Sequence, residues 1–237
     1  MSENKFDIRV YPLDNTNGNT RAFASVTFDD LIAIRGIKII EGKKGMFVSM
    51  PQAKDNKTGK YHDVAFPLSG NLRKEISSLI LGEYKRVVEL PPDKQVYANK
   101  EKNSISIDDV EEIKIKLQVY PITEPKGTIK AFASVSVNDS IGIRNIRVLD
   151  GEKGLFIAMP QTKDKENNYY DVAFPVCTGL RNKLNDLVIQ EFIQTDKSID
   201  SKKSLGERLA AGAAKAVLTP PVDKSMAAQK SQAPVMA

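Results

Sequence analysis

The amino-acid sequence predicts an α+β chain built as two tandem small domains. Each is a twisted antiparallel β-sheet followed by an amphipathic C-terminal helix, and the two pair as an intramolecular pseudo-dimer. Three observations predict this. The first is a duplication: Val10-Tyr11-Pro12 recurs as Val119-Tyr120-Pro121, Arg21–Val26 as Lys130–Val135, and Glu41–Gln52 as Asp150–Gln161, all at an offset of 109 residues. The offset drops to 108 after Asp55–Tyr61, so Asp63–Pro67 recurs as Asp171–Pro175 and the lost residue lies in a loop. A period this long, beyond the roughly 20–50 residues of a solenoid repeat, means two copies of one domain. The second observation is strand-like composition over the front of each copy. The third is a change to helical spacing at its end.

In the first copy Phe6–Tyr11, Arg21–Phe28, Ile32–Ile40, Met46–Met50 and Tyr61–Ala65 are rich in Val, Ile, Phe and Tyr and are bounded by turn residues. Asn17-Gly18 marks a turn that accepts positive φ, and Thr123–Gly127 fills its slot in the second copy. Lys54–Lys60 is a polar hairpin tip. Short strands with short connections predict an antiparallel meander. Leu72, Ile76, Leu79, Ile80 and Tyr84 then fall at helical spacing, as do Leu180, Leu184, Leu187, Val188 and Phe192. Ser69 and Thr178 stand where an N-cap is useful. The domains are therefore placed at residues 1–88 and 113–194. The linker, 89–112, opens on Leu90-Pro91-Pro92 and has room for a short strand at Ile105 and Ile107. Residues 195–237 read as a tail, with a short helix over 205–218 behind the capping-box spacing of Ser204 and Glu207, and disorder elsewhere.

Domains of about 80 residues are near the small end of self-sufficient folding, which favours pairing of the copies. Cys177 is the sole cysteine, so no disulfide framework exists within the chain. No run approaches the roughly 20 apolar residues needed to cross a bilayer. Met1–Lys5 lack the apolar stretch of a signal peptide, and a cytoplasmic protein is expected. The net charge of +5 is spread thinly: 12 Lys/Arg oppose 9 Asp/Glu in residues 5–84, and 11 oppose 9 in residues 113–193. Any phosphate-binding surface is therefore a local patch.

The strongest candidate patch is the start of each helix, where Arg73 and Lys74, and Arg181 and Lys183, fall in the first turn. Cations oppose the positive end of a helix dipole, whereas the free N–H groups there favour an anion. Basic side chains at that end make sense if a phosphate joins them; ordinary solvated charges are the plainer reading. Arg35 and Arg144, with Lys38 and Arg147, recur on a strand and either extend such a groove or form a solvated sheet face. Phe23/Phe132, Phe47/Phe156 and Phe66/Phe174 could stack on bases, although core positions are the commoner use of such residues. Gly42–Gly45 and Gly151–Gly154 match the spacing of a KH-type GXXG loop, but they join strand-like runs, so a β-turn is expected.

Nothing argues for an enzyme. His62, the only histidine, becomes Tyr170 in the second copy, and Cys177 aligns with Ser69. Asp63/Asp171 persists in both and is expected to accept backbone hydrogen bonds beside a Phe-Pro turn. No metal-ligand spacing, P-loop or triad order is present, and no cofactor or metal is implied.

The chain resembles the SpoVG family of bacterial septation and sporulation proteins. The resemblance is carried by Arg21–Thr27, Ile37–Pro51, Tyr61–Pro67 and Leu72–Tyr84, and again by Lys130–Ser136, Ile146–Pro160, Tyr169–Pro175 and Leu180–Phe192. It implies a small fold that dimerises by joining sheets, and a DNA- and RNA-binding regulator linked to septation and sporulation. The family's basic helix start maps onto Arg181 and Lys183. In the first copy only Arg73 maps; Glu75 takes the lysine slot beside Lys74. The family's Ala-His-Pro is Ala-Phe-Pro here, at Phe66 and Phe174. The expected partner is DNA and/or RNA, with a further homo-oligomer allowed and no membrane insertion. The alternative is a protein–protein adaptor in division or envelope machinery.

Overall fold

A computed structural model describes residues 5–14, 18–55, 58–90, 112–125, 127–163 and 166–217, with side chains of the last helix followed to residue 197. Linker positions Ile105 and Ile107 lie outside the described residues. The first repeat comprises β1 (Phe6–Pro12), β2 (Thr20–Phe28), β3 (Ile32–Gly42), β4 (Gly45–Ser49), β5 (Gln52–Lys54), β6 (Tyr61–Asp63), β7 (Ala65–Pro67) and α1 (Gly70–Val88). The second follows the same order with β8 (Ile115–Pro121), β9 (Ile129–Val137), β10 (Ile141–Gly151), β11 (Gly154–Ala158), β12 (Gln161–Lys163), β13 (Tyr169–Asp171), β14 (Ala173–Pro175) and α2 (Thr178–Val217).

Period-two patterning sets the sheet faces. On β2, Ala22, Ala24, Val26 and Phe28 are buried while the residues between them point away; on β3, Ile37 and Ile39 are buried and Lys38 is exposed. The β2–β3 hairpin turns through Asp29 and Asp30 at φ 48° and 53°, and β9–β10 through Asn138 and Asp139 at φ 50°. Two consecutive left-handed residues make the tight turn that matches strand twist, and Asn and Asp tolerate it best after glycine.

The strand Ala65-Phe66-Pro67 does not stay with its own repeat. It pairs antiparallel with β10, Ala65 opposite Ile143 and Pro67 opposite Ile141, while Ala173–Pro175 pairs with Ile34–Ile32 of β3. The expected Phe-Pro turns are thus short exchanged strands. Arg35 N–H donates to the Val172 carbonyl and Arg144 N–H to that of Val64, each at 2.7 Å. These donors sit at bulges, where the β2–β3 and β9–β10 registers slip and Gly36 and Asn145 take φ 72° and 62°. Each sheet is five-stranded only with the other repeat's strand included.

Ser69 caps α1 by accepting from Leu72 N–H at 3.1 Å. At α2 the acceptor is Cys177 Sγ, 3.4 Å from Leu180 N, and not the expected Thr178, which is the first helical residue. Leu72, Ile76 and Ile80 face inward from α1, and Leu180, Leu184, Val188 and Phe192 from α2, whereas Leu79 lies on the outer face. Buried residues of both repeats form one continuous core. The chain divides into compact units at residues 1–195 and 196–237. Helix α2 has no break ahead of residue 205, where the sequence suggested a separate helix.

Candidate functional site

The outward faces of the two sheets carry matching rows of side chains. Across β1, β2, β3 and β4, Tyr11, Phe23, Lys38 and Ser49 are consecutive pairing partners. Across β8, β9, β10 and β11, the partners are Tyr120, Phe132, Arg147 and Ala158. Direct partners stand about 5 Å apart at Cβ, so each row sets an aromatic ring beside a cation. Phe23 and Phe132 are 37% and 41% exposed.

Both rows border one cleft of 840 Å³ between the repeats, lined in matching pairs by Phe23 and Phe132, Lys38 and Arg147, Gln52 and Gln161, and Tyr61 and Tyr169. His62 and Tyr170 form a further, unlike pair, as do Gly36 and Asn145. His62 Nε2 lies 3.3 Å from Asn145 Nδ2, a polar contact from one repeat to the other. His62 thus contributes a polar contact to the junction between the repeats.

A polar chain backs the cleft. Arg147 donates to Gln161 Oε1 at 2.8 Å, and Gln161 Nε2 donates to Asp171 at 3.0 Å. In the first repeat Gln52 Nε2 donates to Asp63 at 3.0 Å, and Asp63 also accepts from Arg73 at 2.6 Å. The repeated aspartates accept from side chains, which corrects the backbone role expected for them.

Half-buried Arg73 is thus held by a carboxylate; Lys74 is exposed. Arg181 is exposed, Lys183 is half-buried and partnered, and neither helix has an acid in its first turn. Arg35 and Arg144 lie elsewhere: their guanidinium carbons sit 4.6 Å from the Phe174 ring centre and 4.5 Å from that of Phe66. Each arginine clamps the strand donated by the other repeat. The structure brings Lys38 and Arg147 together in the cleft and uses Arg35 and Arg144 as strand clamps.

Phe66 and Phe174 pack against the core as composition favours, but four of the six repeated phenylalanines depart from that assignment. Phe23, Phe132, Phe47 and Phe156 are all exposed by more than a third. Phe47 and Phe156 close over hairpin glycines: a Cβ on Gly42 would stand 3.1 Å from Phe47 Cε1, and one on Gly151 2.9 Å from Phe156 Cε1. Gly42 pairs with Gly45, and Gly151 with Gly154, so the GXXG segments are two-residue hairpin turns. The cleft itself was not legible as a site, although the recurring Phe and Lys/Arg positions were its signal. Among the described residues no group of three metal-ligating side chains occurs, and no helix is long and apolar enough to cross a membrane.

The SpoVG family model matches residues 4–86 and 109–194. A protein of Agathobacter rectalis is 40% identical over 83 residues, covering 35% of this chain and 93% of that protein. One of Bacillus mycoides is 41% identical over 84 residues, 35% of this chain and 84% of its own. One of Staphylococcus aureus is 34% identical over 88 residues, 37% and 86%. All three are named as septation proteins, SpoVG, not for a catalysed reaction. Each is matched over a stretch about one repeat long. The chain belongs to the SpoVG family and carries the family's domain twice.

Proposed function

We propose that the protein is a cytoplasmic nucleic-acid-binding regulator, of DNA and/or RNA, acting in septation and sporulation. In this reading the two repeats work as one unit, so that a single chain supplies what a dimer of single-domain relatives would. The observation that carries it is the cleft, where two exposed aromatic rings each stand beside a cation, Phe23 with Lys38 and Phe132 with Arg147. Aromatic faces for bases and flanking cations for phosphates are what a nucleic-acid surface needs. Lys74 and Arg181, both exposed, add positive charge at the helix starts, the ends that favour an anion. Joining the repeats in one chain makes their pairing independent of protein concentration.

Binding is tested with mixed-sequence nucleic acid across a salt series. Four phosphate contacts, from Lys38, Lys74, Arg147 and Arg181, give a log–log slope of roughly −3 on single strands. Arg181→Ala/Lys183→Ala and Lys38→Ala/Arg147→Ala should each weaken binding and flatten the slope. Absence of binding at low salt would favour the adaptor reading. The pseudo-dimer is tested by sedimentation of the 26.2 kDa chain; a dimer joined through the first repeat alone, with the second left free, refutes it.

A further inference from the structure

We infer that the cleft between the repeats takes unpaired bases of a single strand, one against Phe23 and one against Phe132, and so selects single-stranded over duplex nucleic acid. This rests on the nucleic-acid reading and narrows it to a mode of recognition. Phe23 and Phe132 sit on strands whose alternate residues are buried, yet their own rings are more than a third exposed. Unlike Phe47 and Phe156, neither has a glycine beneath it to account for its place. Nor, among the described residues, does an arginine from the other repeat cover them, as happens at Phe66 and Phe174.

Geometry then separates single strand from duplex. In a duplex both faces of every base are covered by its neighbours, so a side-chain ring has nothing to stack on unless the base is splayed out. At 840 Å³ the cleft is the size of a ligand pocket, which spans about 300–1,000 Å³, and it suits a short unstacked segment better than a double helix. The cations are also few: Lys38, Arg147 and Lys54 line it against Asp55. A duplex-binding surface relies on many phosphate contacts, whereas a stacking platform needs only enough charge to guide the backbone past the rings. Each cation is the direct strand partner of its ring, so a stacked base brings its own phosphate within reach. Tyr61, 66% exposed, flanks the same cleft on the β5–β6 hairpin and offers a further ring face, whereas its counterpart Tyr169 carries Lys163 Nζ 4.8 Å from its ring centre.

The test is fluorescence anisotropy with the full chain and a labelled strand of about a dozen nucleotides, within the usual footprint of such surfaces, as DNA, as RNA and annealed to its complement. The single strands should bind at least about tenfold more tightly than the duplex. Phe23→Leu/Phe132→Leu keeps apolar bulk but removes the ring faces; it should weaken single-strand binding by about tenfold or more and leave the melting temperature and any duplex binding in place. Equal or tighter duplex binding overturns the inference. So does unchanged single-strand affinity in the leucine variant; if Lys38→Ala/Arg147→Ala still weakens binding there, the nucleic-acid reading survives and stacking does not. No binding of either probe at low salt overturns both.

Discussion

The two helix starts occupy equivalent places in the two repeats but differ in electrostatics. At α1, Arg73 is locked to Asp63 and Glu75 follows two residues later. At α2, Arg181 is exposed, Lys183 replaces Glu75, and Asp171 is engaged by Gln161. The exchanged strands show the opposite behaviour: Arg35 over Phe174 and Arg144 over Phe66 match to 0.1 Å. The difference teaches where duplicated domains are free to diverge. Each sheet is completed by the other repeat's strand, so a change there damages both halves at once. A charge at a helix start answers mainly to solvent and to whatever binds, and can change in one copy alone.

Core substitutions should break the symmetry least and cost most. Ile37 and Ile146 are both fully buried, and Ile37→Ala or Ile146→Ala should each destabilise the protein by about 3 kcal/mol. Because the core is shared, denaturation of either variant should remain one transition; two separated transitions would show that the repeats fold independently. Next come the exchanged strands. Phe66→Ala and Phe174→Ala each lose a half-buried ring and its arginine stack, and a similar cost of about 2 kcal/mol is expected for both.

The caps sharpen the comparison at smaller scale. Ser69→Ala should cost about 1 kcal/mol, whereas Cys177→Ser replaces a weak sulfur acceptor with a hydroxyl and should stabilise α2 by about 0.5 kcal/mol. Thermal melts of the two variants should move in opposite directions. At the helix starts, Asp63→Asn releases Arg73 from a half-buried pair worth about 1 kcal/mol or less. Its stability should barely change, while nucleic-acid affinity should rise a few-fold. If Asp171→Asn does as much, the electrostatic difference between the repeats is not functional.

The smallest effect belongs to Glu83 and Arg86 near the end of α1. The hydrogen bond from Arg86, opposed by partial burial and aided by its charge, holds the Glu83 carboxyl below the ordinary carboxylate range. A folded pKa below the unfolded one contributes stability above the unfolded value and loses it as pH falls through the folded value. Arg86→Ala should therefore lower stability slightly at neutral pH, flatten the acid limb, and leave stability unchanged below the folded pKa of Glu83. The second repeat has no such pair to lose, because the Glu83 counterpart is Glu191 and the Arg86 counterpart is Gln194.

Much of the fold is visible in the chain because it depends on local chemistry. Alternating Ala, Val and Ile build the strands, helical spacing from Leu72 to Tyr84 and from Leu180 to Phe192 builds the inward faces, and the repeat itself doubles the domain. Those patterns also exposed the candidate cations, but not their fates. Arg35 and Lys38 look alike three residues apart, yet a bulge at Gly36 turns one onto a phenylalanine of the other repeat and leaves the other beside a cleft. The three-residue strand at Phe66 is too short to state its partner by composition. Only tertiary pairing, which donates it across the repeats, assigns it.

Periodicity and duplication thus settle which elements form and that they form twice, since each residue's preference for a strand, a helix or an apolar face acts over a few neighbours. Which repeat completes which sheet, whether Arg73 is held while Arg181 is exposed, and the meeting of Phe23 with Phe132 in one cleft depend on contacts between residues far apart in the chain. Those contacts exist only once the two copies share a core.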